Sequence, residues 1–374
     1  MNLRRILANV GASALGLAVA LALAEGVLRL AGVAYPAFYR VDAERGYGLR
    51  PGAEGWWTRE GRGWVRINRT GFRGDDLAAT PPAGTLRVAV LGDSFTEAFQ
   101  VNEPQSWVHR LGDQLDRRPV CPLRRLHPAG VEVLNFGVGG YGTGQELLTW
   151  RQLVRPLRPQ LVLLAVYLGN DLTDNTPEPR ADRPVFRLDA RGHLWVDESF
   201  RSRRTYRFRT SPPGQWLDGL MNHSRLLQLI NEAKNRLAAR RRAPQSVGQR
   251  AVPTTPQAPE VAWQVTSALL RQLDGEVRAT GARLQVVSLT TPEQVWPRRD
   301  QRPADPLGQE RRLGALLKDD GIPYLPLAPL LQRQADAGHL VLHGLPGQPA
   351  GDGHWNAEGH RLAGAAVADW LCPP

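Results

Sequence analysis

Residues 86–97 read LRVAVLGDSFTE, a run from Leu86 to Leu91 that is apolar except for Arg87, followed by the turn and polar residues Gly92-Asp93-Ser94. A short apolar run bounded by turn residues is typical of a strand buried on both faces of a parallel sheet. The stretch therefore predicts a buried strand whose carboxyl end presents Ser94 at the edge of the sheet.

The same pattern continues along the chain. Further apolar runs follow at 131–136, 161–168, 284–289 and 324–327, and segments with helical periodicity lie at 107–115, 144–154, 261–280, 310–318 and 357–371. This alternation indicates βαβ units and a parallel sheet covered by helices on both faces. We therefore predict an α/β fold with a five-stranded parallel sheet, in which a ligand lies at the carboxyl ends of the strands, near the point where strand order reverses.

The N-terminus predicts a membrane segment. Ile6 to Ala24 carries no charge, and Arg4 and Arg5 precede it. About 20 apolar residues cross a bilayer, and positive charge before the span keeps the N-terminus cytoplasmic. We predict an N-terminal transmembrane helix that anchors the chain, with the bulk of the protein periplasmic or at the cell surface. A signal peptide cleaved after Ala22-Leu23-Ala24 and a buried core helix are the alternatives.

The charge of the chain does not indicate nucleic-acid binding. The 374 residues carry a formal net charge of +11, but the cations are almost all arginines spread over the whole length, with only Lys234 and Lys318 as lysines. A nucleic-acid-binding protein concentrates its cations on one face or in a recognisable module. We predict no nucleic-acid partner.

The two cysteines, Cys121 and Cys372, are too few for a disulfide framework or a four-ligand zinc site. The sequence leaves open whether they form a single disulfide with each other.

We divide the chain into an anchor or signal at 1–35, a membrane-proximal segment at 36–84 and a main domain at 85–372 with an insertion at about 175–259. In the membrane-proximal segment, Trp56, Trp57 and Trp64 are consistent with an aromatic belt, a sugar-stacking platform or simple packing. The arginine-rich run 201–209 of the insertion is consistent with contact to an acidic polysaccharide or lipid headgroups, or with a solvated surface. Residues 243–259 have the composition of a linker.

Polar residues at the predicted strand ends can support nucleophilic catalysis. Ser94 can be the nucleophile, His354 its base, and Asp352 the carboxylate that fixes the tautomer of His354. Acyl transfer also requires donors aimed at the developing oxyanion. The backbone N–H groups of the glycines that follow Asn135 and the side-chain amide of Asn170 are suitable donors at two other strand ends.

Taken together and in this order, these motifs resemble the GDSL/SGNH hydrolase superfamily. The blocks that match are Gly92-Asp93-Ser94, Asn135-x-Gly137-x-x-Gly140, Gly169-Asn170-Asp171 and Asp352 with His354. The resemblance implies a three-layer, flavodoxin-like α/β/α domain and a serine esterase. It implies Ser94, His354 and Asp352 as the catalytic residues, with an oxyanion hole formed by Ser94 N–H, Gly140 N–H and the Asn170 amide. It implies no metal and no organic cofactor.

The last block departs from the usual pattern of the superfamily. Only Gly353 separates Asp352 from His354, where two residues are common. The Asp-x-His-Trp form resembles exported proteins that add or remove acetyl groups on bacterial polysaccharides such as alginate. We therefore expect an esterase acting on O-acetyl groups of a carbohydrate or cell-envelope polysaccharide, with an O-acetyltransferase as the alternative.

Two readings from other classes remain. Gly137-x-Gly139-x-x-Gly142 satisfies the dinucleotide-binding pattern, but the acidic residue expected about 20 positions later is missing. A catalytically silent carbohydrate-binding or assembly protein with cell-envelope partners would retain the same fold. His360 is a rival to His354 as the base, and its position in the first turn of a predicted helix favours a structural role.

Overall fold

The fold is taken from a computed structural model that describes residues 3–118, 120–175, 180–241 and 258–373. Its strands, in chain order, are β1 Tyr39–Asp42, β2 Gly46–Leu49, β3 Glu54–Trp57, β4 Gly63–Arg66, β5 Thr85–Gly92, β6 Gly130–Gly137, β7 Leu161–Tyr167, β8 Val185–Leu188, β9 Leu194–Asp197, β10 Arg283–Leu289 and β11 Tyr324–Pro326. Its helices are α1 Leu3–Leu30, α2 Ser94–Glu97, α3 Trp107–Asp116, α4 Pro122–Leu126, α5 Thr143–Thr149, α6 Asp171–Asp174, α7 Arg204–Thr210, α8 Pro212–His223, α9 Arg225–Arg241, α10 Ala258–Arg278, α11 Gly308–Asp319, α12 Leu327–Gly338 and α13 Ala357–Leu371.

The central sheet is parallel and has the strand order β11-β10-β7-β5-β6. The five predicted strands are therefore confirmed, each within one residue at either end. In this order, the chain moves from β5 to β6 on one side and then crosses to β7 on the other. The strand order reverses at β5, where the crevice between the neighbouring loops is the usual ligand site of such sheets.

Helices cover both faces of the sheet, as the three-layer architecture requires. Alternate residues of β5 point to opposite sides: Ala89 and Leu91 pack with α5, α10 and α11, whereas Val88 and Val90 pack with α3, α12 and α13. All eight residues of β5 are buried. Because both faces of a central parallel strand are covered, the strand appears in sequence as a mainly apolar run. Its one charged residue, Arg87, is buried and forms an ion pair of 2.8 Å with Glu132 of β6.

The membrane-proximal segment forms two small antiparallel hairpins, β1–β2 and β3–β4. Its own core contains Phe38, Val65 and Ile67, which pack with Phe99 and Tyr141 of the main domain. Arg73 is buried and donates to the carbonyl oxygens of Glu97, the last residue of α2, and of Ala98 and Val101, which follow it. The segment is thus fixed against the carboxyl edge of the sheet.

Between α6 and α10 the described residues contain the β8–β9 hairpin and helices α7, α8 and α9. The domain boundaries that we assign from the sequence, including the limits of the insertion, stay predictions. Most of the predicted linker at 243–259 lies outside the described residues.

The N-terminal helix α1 is long and apolar enough to cross a membrane, and none of its residues is buried.

Cys121 before α4 and Cys372 after α13 form a disulfide, with their Cα atoms 5.3 Å apart. The bridge that the sequence leaves open is present in the structure.

Candidate active site

Ser94 occupies the position that the sequence predicts, immediately beyond the carboxyl end of β5. Asp93 is the N-cap of α2, and its carboxylate accepts a hydrogen bond of 2.9 Å from Phe95 N. This cap stabilises the first turn of the short helix. As the first residue of α2, Ser94 is half-buried and faces the loop that precedes α13.

The structure brings His354 to Ser94. The His354 Nε2 atom lies 2.8 Å from Ser94 Oγ, which is hydrogen-bond distance. The imidazole is only 7% exposed, and its ring lies 4.7 Å from the ring of Phe95, measured between centroids. The base and the nucleophile of the predicted pair are therefore in contact across 260 residues of sequence.

Residues on either side of His354 hold its loop in place. The Gly353 carbonyl oxygen lies 2.7 Å from His343 Nδ1, and Trp355 Nε1 donates to Thr290 Oγ1 over 2.7 Å. Thr290 Oγ1 also lies 3.0 Å from His343 Nε2. Because His343, Thr290 and Trp355 are all buried, these bonds restrict the position of the imidazole between them.

The other ring nitrogen of His354 contacts Glu60, a residue of the membrane-proximal segment. Glu60 lies in the loop that joins β3 to β4, and its Oε2 atom is 2.6 Å from His354 Nδ1. Its second oxygen, Oε1, accepts a hydrogen bond of 3.0 Å from the backbone N–H of His354. One carboxylate therefore holds both the ring and the backbone of the histidine.

This arrangement corrects the contact that we expect for Asp352. Asp352 Oδ1 accepts a hydrogen bond of 2.8 Å from the N–H of the next residue, Gly353, whose φ is +75°. Among the described residues, no hydrogen bond joins Asp352 to His354. With one residue fewer between the acid and the histidine than is common, the Asp352 carboxylate turns back onto its own loop, and Glu60 reaches Nδ1 from another segment.

The ionisation of Glu60 and His354 follows from their contact. Burial alone would lower the pKa of His354, but the hydrogen bond and negative charge of Glu60 raise it above its ordinary value. Burial opposes ionisation of Glu60 as well, and the bond to His354 lowers the pKa of Glu60 nevertheless. An ionised carboxylate only accepts hydrogen bonds, so Nδ1 carries the hydrogen. In the neutral ring, Nε2 is then free to accept from the Ser94 hydroxyl.

The predicted oxyanion donors lie on the strands that flank β5. Gly140 follows β6 with φ at +78°, and its carbonyl oxygen accepts a hydrogen bond from Arg183. Asn170 follows β7, and its Nδ2 atom donates to Asp174 Oδ2 over 2.7 Å. The same amide nitrogen carries a second hydrogen, which makes a longer contact of 3.5 Å with Asp171 Oδ1. An oxyanion would have to replace this longer contact. The roles of Ser94 N–H, Gly140 N–H and Asn170 as an oxyanion hole stay a prediction.

A second contact from the membrane-proximal segment reaches the loop after β6. Tyr39 donates its hydroxyl hydrogen to the carboxylate of Glu97, with distances of 2.7 and 2.8 Å to the two oxygens. Glu97 Oε1 also accepts a hydrogen bond of 2.9 Å from Gly139 N. Burial raises the pKa of Glu97 to about 7. Glu97 thus ties Tyr39 to the backbone one residue before Gly140.

The glycines after β6 serve close packing. A Cβ atom on Gly137 would collide with the backbone N of Glu97 in α2, and one on Gly139 would lie 3.0 Å from the Glu97 carboxylate. The glycines of the dinucleotide-like pattern therefore allow the β6 loop to approach the helix that begins at Ser94.

Buried carboxyl groups lie behind the nucleophile. Asp93, Glu146 and Asp171 are each almost fully buried, and burial raises the pKa of all three, that of Asp93 to about 6. Asp171 Oδ2 accepts a hydrogen bond of 2.7 Å from Tyr167 N, which fixes the turn after β7.

Within the described ranges, no group of three or more His, Cys, Asp or Glu side chains is arranged to hold a metal ion.

His360, the rival base, forms no hydrogen bond with Ser94 or Glu60 among the described residues. It is 1% exposed, its Nδ1 atom accepts a hydrogen bond of 3.3 Å from Trp107 N, and its ring packs edge-on against Trp355. Burial lowers the pKa of His360 to about 3. The histidine is neutral and joins α13 to α3, which is a structural role.

Sequence reasoning missed Glu60, Tyr39 and Glu97. The shortened Asp-x-His spacing was the available signal that the acid could come from elsewhere, but no local pattern identifies a glutamate 294 residues before the histidine. Glu97 is visible in the sequence three residues after Ser94, and only its burial reveals what it contacts.

Comparison with known proteins defines the class. The family model described as the GDSL-like Lipase/Acylhydrolase family matches residues 90–362. The chain therefore belongs to this family, within the GDSL/SGNH hydrolase superfamily, and is an SGNH-type ester hydrolase. The matched region includes Ser94 and His354 but begins 30 residues after Glu60. No curated protein matches the chain.

Solved structures with a similar fold include a catalytic mutant of Axe2, an acetylxylan esterase from Geobacillus stearothermophilus. It has 11% sequence identity and a TM-score of 0.41, and the alignment covers 76% of this chain and 94% of that one. A putative lipolytic protein of the G-D-S-L family from Desulfitobacterium hafniense DCB-2 has 15% identity and a TM-score of 0.38, with 75% and 97% of the two chains covered. The acetyl xylan esterase AlAXEase has 11% identity and a TM-score of 0.40, with 75% and 98% covered.

Proposed function

We propose that this protein is an exported, membrane-anchored serine esterase that removes O-acetyl groups from a carbohydrate or cell-envelope polysaccharide. Ser94 is the nucleophile, His354 the general base and Glu60 the positioning carboxylate, in place of Asp352. The observation that carries the proposal is the continuous line of hydrogen bonds from Ser94 Oγ to His354 Nε2, 2.8 Å, and from His354 Nδ1 to Glu60 Oε2, 2.6 Å.

In the first half of the reaction, Ser94 Oγ attacks the carbonyl carbon of the ester. His354 Nε2 takes the hydroxyl proton as the Oγ–C bond forms, and the Glu60 carboxylate stabilises the resulting imidazolium. The tetrahedral intermediate collapses when the carbon–oxygen bond to the sugar breaks. The leaving oxygen receives the proton from Nε2, and the acyl group remains on Ser94.

In the second half, a water molecule attacks the acyl-enzyme. His354 Nε2 takes a proton from the water, the Ser94 Oγ–C bond breaks, and the proton returns to Oγ as the acid leaves. In both halves the negative charge develops on the carbonyl oxygen, and N–H donors from Ser94, Gly140 and Asn170 stabilise it. Donors of this type are each worth about 100- to 1,000-fold in kcat.

The location and the substrate are parts of the same proposal. The apolar helix α1 supports membrane anchoring, and the Cys121–Cys372 disulfide supports an oxidising compartment outside the cytoplasm. The carbohydrate substrate rests on the last block, Asp352-Gly353-His354-Trp355, which resembles that of exported polysaccharide O-acetylation proteins. The same block supports the O-acetyltransferase as the second candidate, in which a sugar hydroxyl replaces water.

The test is acetate release by the full chain in detergent, from p-nitrophenyl acetate and from O-acetylated alginate. Ser94→Ala is expected to abolish both activities, and Ser267→Ala, a serine of α10, is the matched control. Equal rates for Ser94→Ala and the unchanged protein would remove the serine mechanism. Activity on p-nitrophenyl acetate alone would remove alginate as the substrate, and acyl transfer to an added sugar hydroxyl in excess of hydrolysis would favour the transferase.

A further inference from the structure

Helices α7, α8 and α9 carry an unusual share of the exposed apolar surface. In the described part of the chain, nine large apolar side chains outside α1 are strongly exposed, and six of them lie on these three helices. We call these six the apolar patch: Phe208, Trp216, Leu217, Leu220, Ile230 and Leu237. A concentration of this kind marks an interaction surface, since scattered single residues are the norm on soluble proteins.

On α8 the patch occupies one side of the helix. At 100° per residue, Trp216, Leu217 and Leu220 lie within an arc of about 100°. Asp218 lies on the opposite side, where its carboxylate forms an ion pair of 2.8 Å with Arg50 of the membrane-proximal segment. The helix therefore packs through its polar side and leaves the apolar side uncovered.

The same division holds on α9. Ile230 and Leu237 are seven residues apart, two turns of helix, and both are more than half exposed. Gln228 and Glu232 lie on the other side, where Gln228 Oε1 accepts from Tyr35 N over 2.9 Å and Glu232 accepts from the Thr58 hydroxyl. Thr58 is two residues from Glu60, so the inner side of α9 contacts the loop that contributes Glu60 to the candidate site.

The junction of α8 and α9 is fixed to the end of α1. The Glu25 carboxylate accepts hydrogen bonds from Ser224 Oγ and from the backbone N–H groups of Arg225 and Leu226, at 3.0, 2.9 and 3.1 Å. Arg29 Nη2 donates to the carbonyl oxygen of His223 over 2.6 Å. When α1 crosses a bilayer, these bonds hold the α8–α9 junction at the membrane surface, where the chain passes from the hydrocarbon core into the headgroup region.

Positive charge lies beside the apolar patch. Arg203, Arg204, Arg207 and Arg209 are exposed at or within α7, and in the described ranges none of them forms an ion pair. Apolar and aromatic side chains together with unpaired cations on one surface are typical of helices that lie in a membrane interface and attract anionic lipid headgroups.

We propose that α7, α8 and α9 lie on the outer surface of the membrane beside α1, with the apolar patch in the headgroup region and the arginines on anionic lipids. The proposal rests on the membrane anchoring in the proposed function, and adds a second membrane contact to it. Its consequence is that the polar sides of α8 and α9, through Arg50 and Thr58, hold the loop of Glu60 at a fixed height above the bilayer.

The experiment uses the full chain in liposomes and a single introduced thiol. Because both native cysteines are in the disulfide, Trp216→Cys provides the one reactive thiol for a fluorophore. Leu126→Cys is the control, since Leu126 is similarly exposed but lies before β6, at the opposite edge of the sheet. Leu15→Cys in α1 reports insertion of the anchor. The vesicles contain phosphatidylcholine with a nitroxide near the headgroup or deeper in the chain, with or without phosphatidylglycerol.

We expect the headgroup nitroxide to quench the probe at position 216 at least twice as strongly as the probe at 126, and more strongly when phosphatidylglycerol is present. Replacing Arg203, Arg204 and Arg207 by glutamine is expected to remove the added effect of phosphatidylglycerol. Equal quenching at 216 and 126, with the probe at 15 quenched by the deep nitroxide, would overturn the membrane contact while leaving the anchor intact.

Other occupants of the surface give different results. A second copy of the chain would produce energy transfer between probes at 216 on two molecules without quenching by lipid, and an acidic polysaccharide would shield the probe only when alginate is added. Either result overturns the proposal. A probe at 15 that no lipid quenches overturns it as well, because the anchor is then absent. Hydrolysis of p-nitrophenyl acetate by the same vesicles reports the esterase separately.

Discussion

Glu60 and Ser94 contact opposite nitrogens of the same imidazole, at 2.6 and 2.8 Å, although Glu60 belongs to the membrane-proximal segment and Ser94 to the central sheet. The site is therefore incomplete without the loop between β3 and β4. The segment that follows α1 contributes a side chain to the candidate site at the carboxyl edge of the sheet, in addition to packing against it.

The first prediction concerns Glu60. Glu60→Gln is expected to lower kcat by about 100- to 10,000-fold, because an amide can donate to Nδ1, which favours the wrong tautomer, and cannot stabilise the imidazolium. The carboxylate raises the pKa of His354, so its removal lowers that pKa. Since catalysis requires the neutral ring, the acidic limb of the kcat/KM profile moves to lower pH. Steady-state kinetics between about pH 4 and pH 9 measures both effects, because this range covers the pKa values that histidines have in folded proteins.

Asp352→Asn is the matched control for this experiment. Its carboxylate bonds to Gly353 N, and we expect a change of less than about tenfold in kcat with no shift of the pH profile. Glu60→Asp keeps the charge and is expected to recover part of the activity lost in Glu60→Gln. The reverse pattern, with Asp352→Asn inactive and Glu60→Gln active, would return the role to Asp352.

The central strands could be predicted from the sequence because a strand that is buried on both faces consists mainly of apolar residues. Each residue of β5 and β7 is buried, and apart from Tyr167 of β7 and Thr85 and Arg87 at the start of β5 their side chains are aliphatic or glycine. The sequences of the hairpins β1–β2, β3–β4 and β8–β9 contain no such apolar runs. Their strands have four residues each and mix glycine, aromatic and charged side chains.

The site could be predicted only as far as its residues follow central strands. Ser94 and Asn170 each come directly after a strand whose end the apolar run marks, and His354 stands in a recognisable block. Glu60 has neither advantage, because its position depends on how a separate hairpin packs against the sheet. Whether a carboxylate reaches Nδ1 is a tertiary property, and the spacing between Asp352 and His354 could not decide it.

A second prediction tests the oxyanion role of Asn170. Asn170→Ala is expected to lower kcat by about 100- to 1,000-fold with little change in KM, because the donor acts where charge develops in the transition state. Asn235→Ala on α9 is the control, an asparagine outside the site. Steady-state kinetics with p-nitrophenyl acetate measures the two parameters. An increase in KM at constant kcat would instead assign Asn170 to substrate binding.

A third prediction concerns the disulfide. Replacing Cys121 and Cys372 together by serine is expected to lower the free energy of unfolding by about 2–5 kcal/mol, because the bridge closes a loop of 251 residues in the unfolded chain. Urea denaturation followed by tryptophan fluorescence measures the change, and the reduced native protein should match the variant. Mass spectrometry of the unreduced protein provides the check: two free thiols would contradict the bridge.

The last prediction uses the buried carboxyl of Glu97. Burial raises its pKa from 4.5 to about 7, so the folded protein binds this proton more tightly than the unfolded chain does. The contribution of the group to stability is complete below pH 4.5 and is lost as the pH rises through 7. Glu97→Gln does not titrate, so the free energy of unfolding of the native protein, relative to that of the variant, should fall by about 3 kcal/mol across this window.

Urea denaturation of the two proteins at several pH values between about 4 and 8, a range that includes both the ordinary pKa of 4.5 and the raised pKa of about 7, measures this difference. A difference for Glu97→Gln that stays constant with pH would mean that the pKa of Glu97 is the same in the folded and unfolded states. Its bonds to Tyr39 and Gly139 would then compensate fully for its burial. Glu97 positions the loop before Gly140, so loss of a hydrogen bond to its carboxylate should lower activity. Tyr39→Phe removes the bond from Tyr39, and we expect a lower kcat at pH 8, about one unit above the pKa of Glu97.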